Sequence, residues 1–305
     1  MYLITLAACL FQMFLMIVLG YVLRRKAILS DKGLSELSRL LVTVIMPCSM
    51  LNSGSQSFSP DLGHSLLIAA IIVLVYYVAS FLLSTLVFKL FERDKARFGV
   101  SVTMTVFANI GFLGMPLASE LYGAEGLLVA VVYNLFYNFF ISVVGQRYFS
   151  GGAHVSIKAR LLDPLCLSSI LALMLFVSPF TLPEVLNGTL SRIGSMTAPV
   201  SMFIIGGQLI GTDWKAVFTR HDSYLVCLMR NVLLPLAALL LLRPRLTDPV
   251  LFGTLVLLTA LPIGSLNSIL AEKYGADVKF VNETMVLSIV LSAVTVPLMM
   301  VLVLS

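Results

Sequence analysis

Charged residues are scarce in this sequence. Asp, Glu, Lys and Arg make up 11% of the 305 residues, whereas hydrophobic residues make up 59%. A soluble globular domain carries about 25% charged residues, so this composition excludes a water-soluble protein. Most of the surface is therefore expected to face lipid.

Cysteine and histidine are also few, and their positions exclude several kinds of site. The four cysteines lie singly in apolar stretches, which argues against disulfides and structural zinc. The three histidines lie in or near predicted loops, without an HExxH sequence, and no Walker A sequence is present. The basic residues are dispersed rather than gathered in one patch. We therefore expect no enzyme activity, no cofactor, no metal and no nucleic-acid partner.

Long apolar runs dominate the rest of the chain. About 20 residues are needed to cross roughly 30 Å of hydrocarbon, and ten such runs follow one another. The first lacks the basic start and cleavage site of a signal peptide, so it is interpreted as a retained span. The predicted spans cover residues 2–23, 35–53, 64–88, 98–120, 125–147, 162–180, 193–211, 222–242, 250–271 and 279–304.

The distribution of basic residues predicts the orientation of these spans. Of the 20 Lys and Arg residues, Arg230 lies within a span and only Arg192, Arg243 and Arg245 fall in segments predicted to face outward. The others lie in the alternate segments, which the positive-inside rule assigns to the cytoplasm. Both termini are therefore predicted on the non-cytoplasmic side.

A sequence repeat relates the two halves of the chain. At one offset of 152 residues, Gly54 aligns with Gly206, Asp61 with Asp213, and the segment 122–125 with 274–277. Each half has five predicted spans, so the second half must enter the membrane inverted. The predicted fold is all-α, with a first repeat at residues 1–149, a short cytoplasmic linker at 150–161 and a second repeat at 162–305. Inverted repeats of this kind recur in secondary transporters.

Polar, glycine- and proline-rich stretches interrupt the fourth and ninth spans at matching places in the repeat. Both helices are expected to break near the membrane centre, where unwound backbone must be buried or line a cavity. The helix N-termini at such a break favour anions. The alternative is that these residues only kink the helices for packing. The candidate substrate-binding residues are Asn109, Gly111, Gly114, Pro116, Pro262, Ser265 and Asn267.

Other polar residues within the spans leave alternatives open. Arg230 either snorkels to the inner surface, attracts an anion in a cavity or pairs with Glu283. Asn134 and Asn138 share a face of the fifth span and either line the cavity or join helices. Asp163 is interpreted mainly as a helix cap and otherwise as a proton carrier. The broken spans contain no acidic pair, so a carrier for sodium or protons is not evident.

These residues resemble the auxin efflux carrier family, which includes bacterial malonate and malate permeases and is similar in architecture to the plant PIN auxin exporters. The resemblance rests on residues 109–116, on Pro199, Ser201 and Gly206–Gly207, and on Leu261–Pro262 with Asn267. It covers essentially the whole chain, without the long cytosolic loop of many plant members. Asp163–Pro164 stands where many members have Asn-Pro, which leaves proton coupling open.

The resemblance implies a fold like that of sodium/proton antiporters and bile-acid symporters, with the fourth and ninth helices crossing. Helices 1, 2, 6 and 7 would form a scaffold, and helices 3–5 and 8–10 a transport domain that moves as an elevator. Asn109, Gly111, Pro116, Pro262 and Asn267 would lie near the substrate. Plant relatives form homodimers, so a homodimer is an expectation here.

The expected function is secondary transport of a small organic anion, such as malonate, malate or an auxin-like acid, across the plasma membrane. Two alternatives stay open at this point. One is a sodium-coupled symporter of the bile-acid type, and the other is a membrane sensor or scaffold that retains a transporter fold. The expected partners are the small organic anion and the lipid bilayer.

Overall fold

A computed structural model describes residues 2–56, 58–92, 94–149 and 164–305. Within these ranges every regular element is a helix, and one isolated β-bridge joins two non-helical segments. The predicted linker and Asp163 lie outside the described residues. The helices are α1 Tyr2–Arg25, α2 Asp31–Gly54, α3 Pro60–Phe91, α4 Lys95–Val106, α5 Ile110–Phe149, α6 Pro164–Val177, α7 Glu184–Gly194, α8 Thr197–Gln208, α9 Trp214–Thr219, α10 His221–Leu242, α11 Pro249–Ala260, α12 Leu266–Tyr274 and α13 Val278–Leu304.

Several of these helices are long and apolar enough to cross a membrane. In the described part of the chain there are five, namely α2, α3, α5, α10 and α13, and the shorter helices α6 and α11 are also apolar. The protein is therefore an all-helical, multi-pass membrane protein. The number of ten spans and their inverted arrangement remain predictions.

Local sequence signals explain where several helices begin. Asp248 accepts hydrogen bonds from the N–H groups of Val250 and Leu251, and Pro249 occupies the first helical position of α11. Asp277 caps α13 through the N–H of Phe280, at 2.9 Å. A short acidic side chain satisfies exposed N–H groups at the N-terminus, and proline fits there because its missing N–H is not needed.

Both predicted interruptions are present, and Pro262 lies within the second, but Pro116 does not mark the first. The first lies between Val106 and Ile110, and the second between Ala260 and Leu266. Pro116 instead lies inside α5, directly after a π-helical turn at Ile110–Gly114. A widened turn of this kind accommodates the proline without ending the helix. A sharper kink in α5 occurs at Gly123, whose φ of 65° favours glycine.

The chain packs into two compact units that interleave along the sequence. The first contains the described residues among 1–69, 111–135 and 162–211, and the second those among 70–110, 136–161 and 212–305. Both interruptions lie in the second unit. The first unit holds α1, α2 and α6 to α8.

Glycines allow close helix contacts in the first unit. A Cβ atom on Gly54 of α2 would lie 2.2 Å from the carbonyl oxygen of Ala172 in α6, and one on Gly206 of α8 would lie 1.9 Å from that of Ile17 in α1. Real Cβ atoms do not approach a carbonyl oxygen so closely. The two glycines that the 152-residue offset aligns therefore serve the same purpose, which is to bring one helix backbone against another.

Replacing Gly206 with alanine should destabilise the first unit. The added methyl group meets backbone atoms of α1 that cannot move alone, and overpacking of this kind costs about 1–3 kcal/mol or more. We expect a lower melting temperature for the purified protein in detergent. Gly188→Ala is the matched control, because nothing lies within 4 Å of the added Cβ. Equal melting temperatures for the two variants would contradict the close packing of α1 and α8.

Candidate functional site

The two non-helical segments of the second unit hydrogen-bond to each other. Ala108 and Ile263 form an antiparallel bridge. The N–H of Asn109 donates to the carbonyl of Pro262 at 2.8 Å, and the N–H of Gly264 donates to the carbonyl of Phe107 at 3.0 Å. These contacts pair backbone groups that the helix breaks would otherwise leave unsatisfied in the interior.

Gly264 permits this approach. A Cβ atom on it would lie 2.6 Å from the carbonyl oxygen of Ala108 and 3.0 Å from its carbon. Because both neighbouring atoms belong to the backbone, a side chain at this position would push the two segments apart. The sequence marked residue 264 only as part of a glycine-containing interruption, without showing which backbone it would contact.

Asn267 is fully buried, with no exposed surface. Its Nδ2 donates to the carbonyl oxygens of Gly264 at 2.9 Å and Phe107 at 3.2 Å. Two carbonyl acceptors fix the orientation of the amide, since only the nitrogen can donate to them. Its Oδ1 is buried and has no hydrogen-bond partner among the described residues. The side chain thus joins the two segments and leaves one acceptor available.

The start of α12 lies beside this asparagine. Ser265 is the N-cap residue and makes no side-chain capping hydrogen bond, and Asn267 lies in the first turn. The N-terminus of a helix carries a partial positive charge of about half an elementary charge. This end of α12 is therefore suited to an anion.

A second polar network supports the segment around Ile263. The N–H of Ile263 donates to Oγ of Ser288 at 3.0 Å, and this hydroxyl donates to Oδ1 of Asn231 at 2.7 Å. Nδ2 of Asn231 in turn donates to the carbonyl of Ser288 at 3.0 Å. Sequence reasoning did not identify Ser288, because a single serine in an apolar helix carries no distinguishing signal.

Arg230 is fully buried and binds backbone oxygens of both interrupted helices. Nη1 donates to the carbonyls of Thr105 and Val106, each at 3.1 Å, at the end of α4. Nε donates to the carbonyl of Leu261 at 3.1 Å, and Nη2 donates to that of Thr259, at the end of α11. Nη1 also donates to the hydroxyl of Tyr76 at 3.1 Å.

This arrangement differs from two of the interpretations considered for Arg230. The side chain does not snorkel to a surface, and it does not pair with Glu283. Glu283 instead forms ion pairs with Arg220 at 2.5 Å and with Lys279 at 3.9 Å. Sequence alone cannot reveal such partners, since backbone carbonyls are present at every position and only the fold selects four of them.

Three helix N-termini of the second unit meet in a charged cluster. Arg97 of α4 contacts Asp222 of α10 at 3.1 Å and Asp277, the cap of α13, at 2.9 Å. The guanidinium groups of Arg97 and Arg220 both lie over the ring of Phe280, at 5.0 and 5.7 Å from its centre. The carboxylates are stabilised here both by the arginines and by the helix dipoles.

The pKa of Asp277 is lowered by this environment. Burial acts to raise the pKa, but the hydrogen bonds from the N–H of Phe280 and from Arg97, with the charges of Arg97 and Arg220, outweigh it. A carboxylate with a lowered pKa stabilises the folded protein at pH values above its ordinary pKa of 3.8, and the contribution is lost as the pH falls.

The other predicted site residues are divided between the two units. Asn138 is buried in the second unit, as is Asn109. The first unit contains Gly111, Gly114, Pro116 and Asn134, of which Gly111 has Cε of Met46 as its nearest neighbour. Nδ2 of Asn134 donates to Oγ of Ser169 at 3.0 Å. This contact joins α5 to α6, as expected of an interhelical polar contact.

Gly264→Ala should weaken the contact between the two segments. The methyl group would overlap the carbonyl of Ala108, and we expect a loss of about 1–3 kcal/mol, measured as a lower melting temperature. Gly111→Ala is the control, because its Cβ would meet only a methionine methyl group at an ordinary 3.5 Å. A Gly264→Ala variant as stable as the control would show that the segments do not approach as described.

Asp277→Asn should reduce the pH dependence of stability. The native protein is expected to lose melting temperature as the pH falls through 4 and below, because the carboxylate that binds Arg97 becomes protonated. The variant should begin with a lower melting temperature at neutral pH and change less between pH 6 and 3. Asp31→Asn, at an exposed ion pair with Arg24, serves as the control. Parallel pH curves for the native chain and Asp277→Asn would refute the role of this carboxylate.

Comparison with known proteins places the chain in a family. It matches the family described as membrane transport protein over residues 6–155 and 149–300. An uncharacterized transporter of Methanothermobacter thermautotrophicus is 26% identical over 292 residues, which cover 93% of each chain. An uncharacterized transporter of Methanocaldococcus jannaschii is 22% identical over 295 residues, covering 93% of this chain and 94% of the relative. The chain therefore belongs to the membrane transport protein family, the auxin efflux carrier family that its sequence resembles, and it is a membrane transporter rather than an enzyme.

Proposed function

We propose that the protein is a secondary transporter that carries a small organic anion across the plasma membrane. It would have ten spans in two inverted repeats, both termini on the non-cytoplasmic side and an elevator-type cycle of alternating access. The matching close contacts of Gly54 and Gly206, which the repeat offset aligns, support the repeat. The substrate site would lie at the two interruptions.

The observation that carries this proposal is that a side chain compensates the charge of the negative helix ends at the interruptions but not that of the positive end. Arg230 compensates the negative ends of α4 and α11 by donating to their last carbonyls. The segment around the positive end of α12 supplies no carboxylate of its own, since residues 259–270 contain no Asp or Glu. The electrostatic balance therefore favours an anion at Ser265 to Asn267.

Asn267 suggests a second feature of the substrate. Its Oδ1 is an acceptor without a partner among the described residues, and a buried polar atom left unpaired costs about 1–3 kcal/mol. A substrate that offers a hydrogen-bond donor beside its carboxylate would satisfy this atom. Hydroxy acids, half-protonated dicarboxylates and acids with an indole N–H all meet this requirement.

An elevator cycle requires the site to move as part of one packed body. The residues proposed for the site, Asn109, Pro262, Ser265 and Asn267, all belong to the second compact unit, as does Arg230. Contacts within this unit also join α4 to α10 and α13. This composition supports a transport domain that carries the site as a whole.

Flux into proteoliposomes tests the proposal. Labelled malonate, malate and indole-3-acetate are compared, and saturable uptake of at least one is expected. Asn267→Ala should reduce uptake about threefold to tenfold at low substrate concentration, because a hydrogen bond between neutral groups contributes about 0.5–1.5 kcal/mol.

Ser288→Ala is the matched control for this variant. Ser288 is equally buried and also supports the interruption, through the N–H of Ile263, but its hydroxyl is already paired. We expect it to lower stability while leaving the substrate affinity close to native. Equal loss of affinity in both variants would make the effect of Asn267 structural. Substrate binding without flux would contradict transport and favour a membrane sensor.

A further inference from the structure

We propose that Arg230 is a permanent cation in the place where a coupling ion would otherwise bind, so that the anion is carried without sodium. The inference deepens the proposed function, on which it rests, by assigning the coupling. In transporters with broken helices, unwound carbonyls and the C-terminal ends of half-helices are the groups that coordinate sodium. In this protein those groups bind a guanidinium instead.

The charges at the interruptions match one guanidinium. Each helix C-terminus carries about half a negative elementary charge, so the ends of α4 and α11 together carry about one. The guanidinium of Arg230 supplies one positive charge and contacts both ends. A sodium ion would add a second positive charge to a site that is already balanced.

The contacts also occupy the oxygens that an ion would need. The carbonyls of Thr105 and Val106 accept from Nη1, that of Thr259 from Nη2, and that of Leu261 from Nε. Every nitrogen of the guanidinium is used. A sodium ion could reach these oxygens only by displacing a group that is covalently attached to α10.

No carboxylate competes for Arg230 in the described part of the chain. None of the ion pairs found there includes Arg230, and the carboxylate of Glu283 is held by Arg220 and Lys279. A fully buried charge without compensation is costly. The charge of Arg230 is compensated by the four carbonyls and by the hydroxyl of Tyr76. The arginine is therefore part of the unit's interior and cannot leave it, because it is covalently attached to α10.

The local backbone of α10 places the side chain for this role. Met229–Leu233 forms a π-helical turn, directly before Pro235. The turn widens the helix at Arg230 and Asn231, so that both side chains enter the interior, where Asn231 binds Ser288. Irregular turns of this kind are frequent at functional sites.

Thermal unfolding in two salts tests the inference without any substrate. The purified protein is melted in sodium chloride and in choline chloride at equal ionic strength. An ion that binds the folded state raises the melting temperature, so the native chain should melt at the same temperature in both salts. Flux of the transported anion, measured with the same two salts inside and outside the vesicles, should also be equal.

Variants of the arginine provide the second arm. Arg230→Gln should melt at least about 5 °C lower than the native chain, because the ends of α4 and α11 lose their compensating charge. Arg230→Lys keeps the charge but has fewer donors, so its melting temperature should lie between those of the native chain and Arg230→Gln. Arg192→Gln, at an exposed position on α7, should melt like the native chain.

Three results would overturn the inference. They are a native melting temperature specifically raised by sodium, flux that requires sodium, and an Arg230→Gln variant as stable as Arg192→Gln. If Arg230→Gln fails to fold, the native chain and Arg230→Lys still decide through the sodium comparison. Failure of every tested anion to be transported, with the melting pattern as expected, would count against the proposed function and leave the role of Arg230 standing.

Discussion

The interior of the second unit depends on satisfying backbone groups where α4 and α11 end. A helix that ends in an apolar interior leaves several carbonyls without partners, and water is not available to bind them. Here one arginine binds four such oxygens, and the bridge between Ala108 and Ile263 pairs others. Both contacts satisfy backbone groups of the same two helix ends, so we expect the two to act together.

This constraint also bears on the proposal that the interruption binds an anion. A broken helix presents ends of both signs, and a symmetrical break would attract cations and anions equally. The protein supplies its own cation to the negative ends and no carboxylate to the start of α12. In the proposed site the remaining imbalance is positive, and the unpaired Oδ1 of Asn267 would select among anions. The charge specificity that we propose would thus follow from which helix ends the chain compensates.

The sequence predicted an all-helical membrane transporter, because apolar runs and their basic flanks are strong signals. Glycine, proline and asparagine indicated the regions of the two interruptions, although Pro116 suggested a break beyond the actual one at residues 107–109. The partners of Arg230 could not be predicted. They are carbonyl oxygens, which every residue possesses, and only the path of two distant segments brings them together. Ser288 was missed for the same reason, since its hydroxyl gains importance only from its neighbours.

The charged cluster and Arg230 fix the same helices at two levels. Arg97, Asp222 and Asp277 join α4, α10 and α13 near their N-termini. Arg230 lies eight residues after Asp222, which corresponds to about 12 Å along a helix at 1.5 Å per residue, and joins α10 to α4 again. Two helices joined at a single point can rotate about it, whereas contacts at two separated levels prevent this rotation. The helices that surround the interruption are therefore held as one body, as the proposed elevator cycle would require if the unit is to carry an anion without exposing the broken backbone.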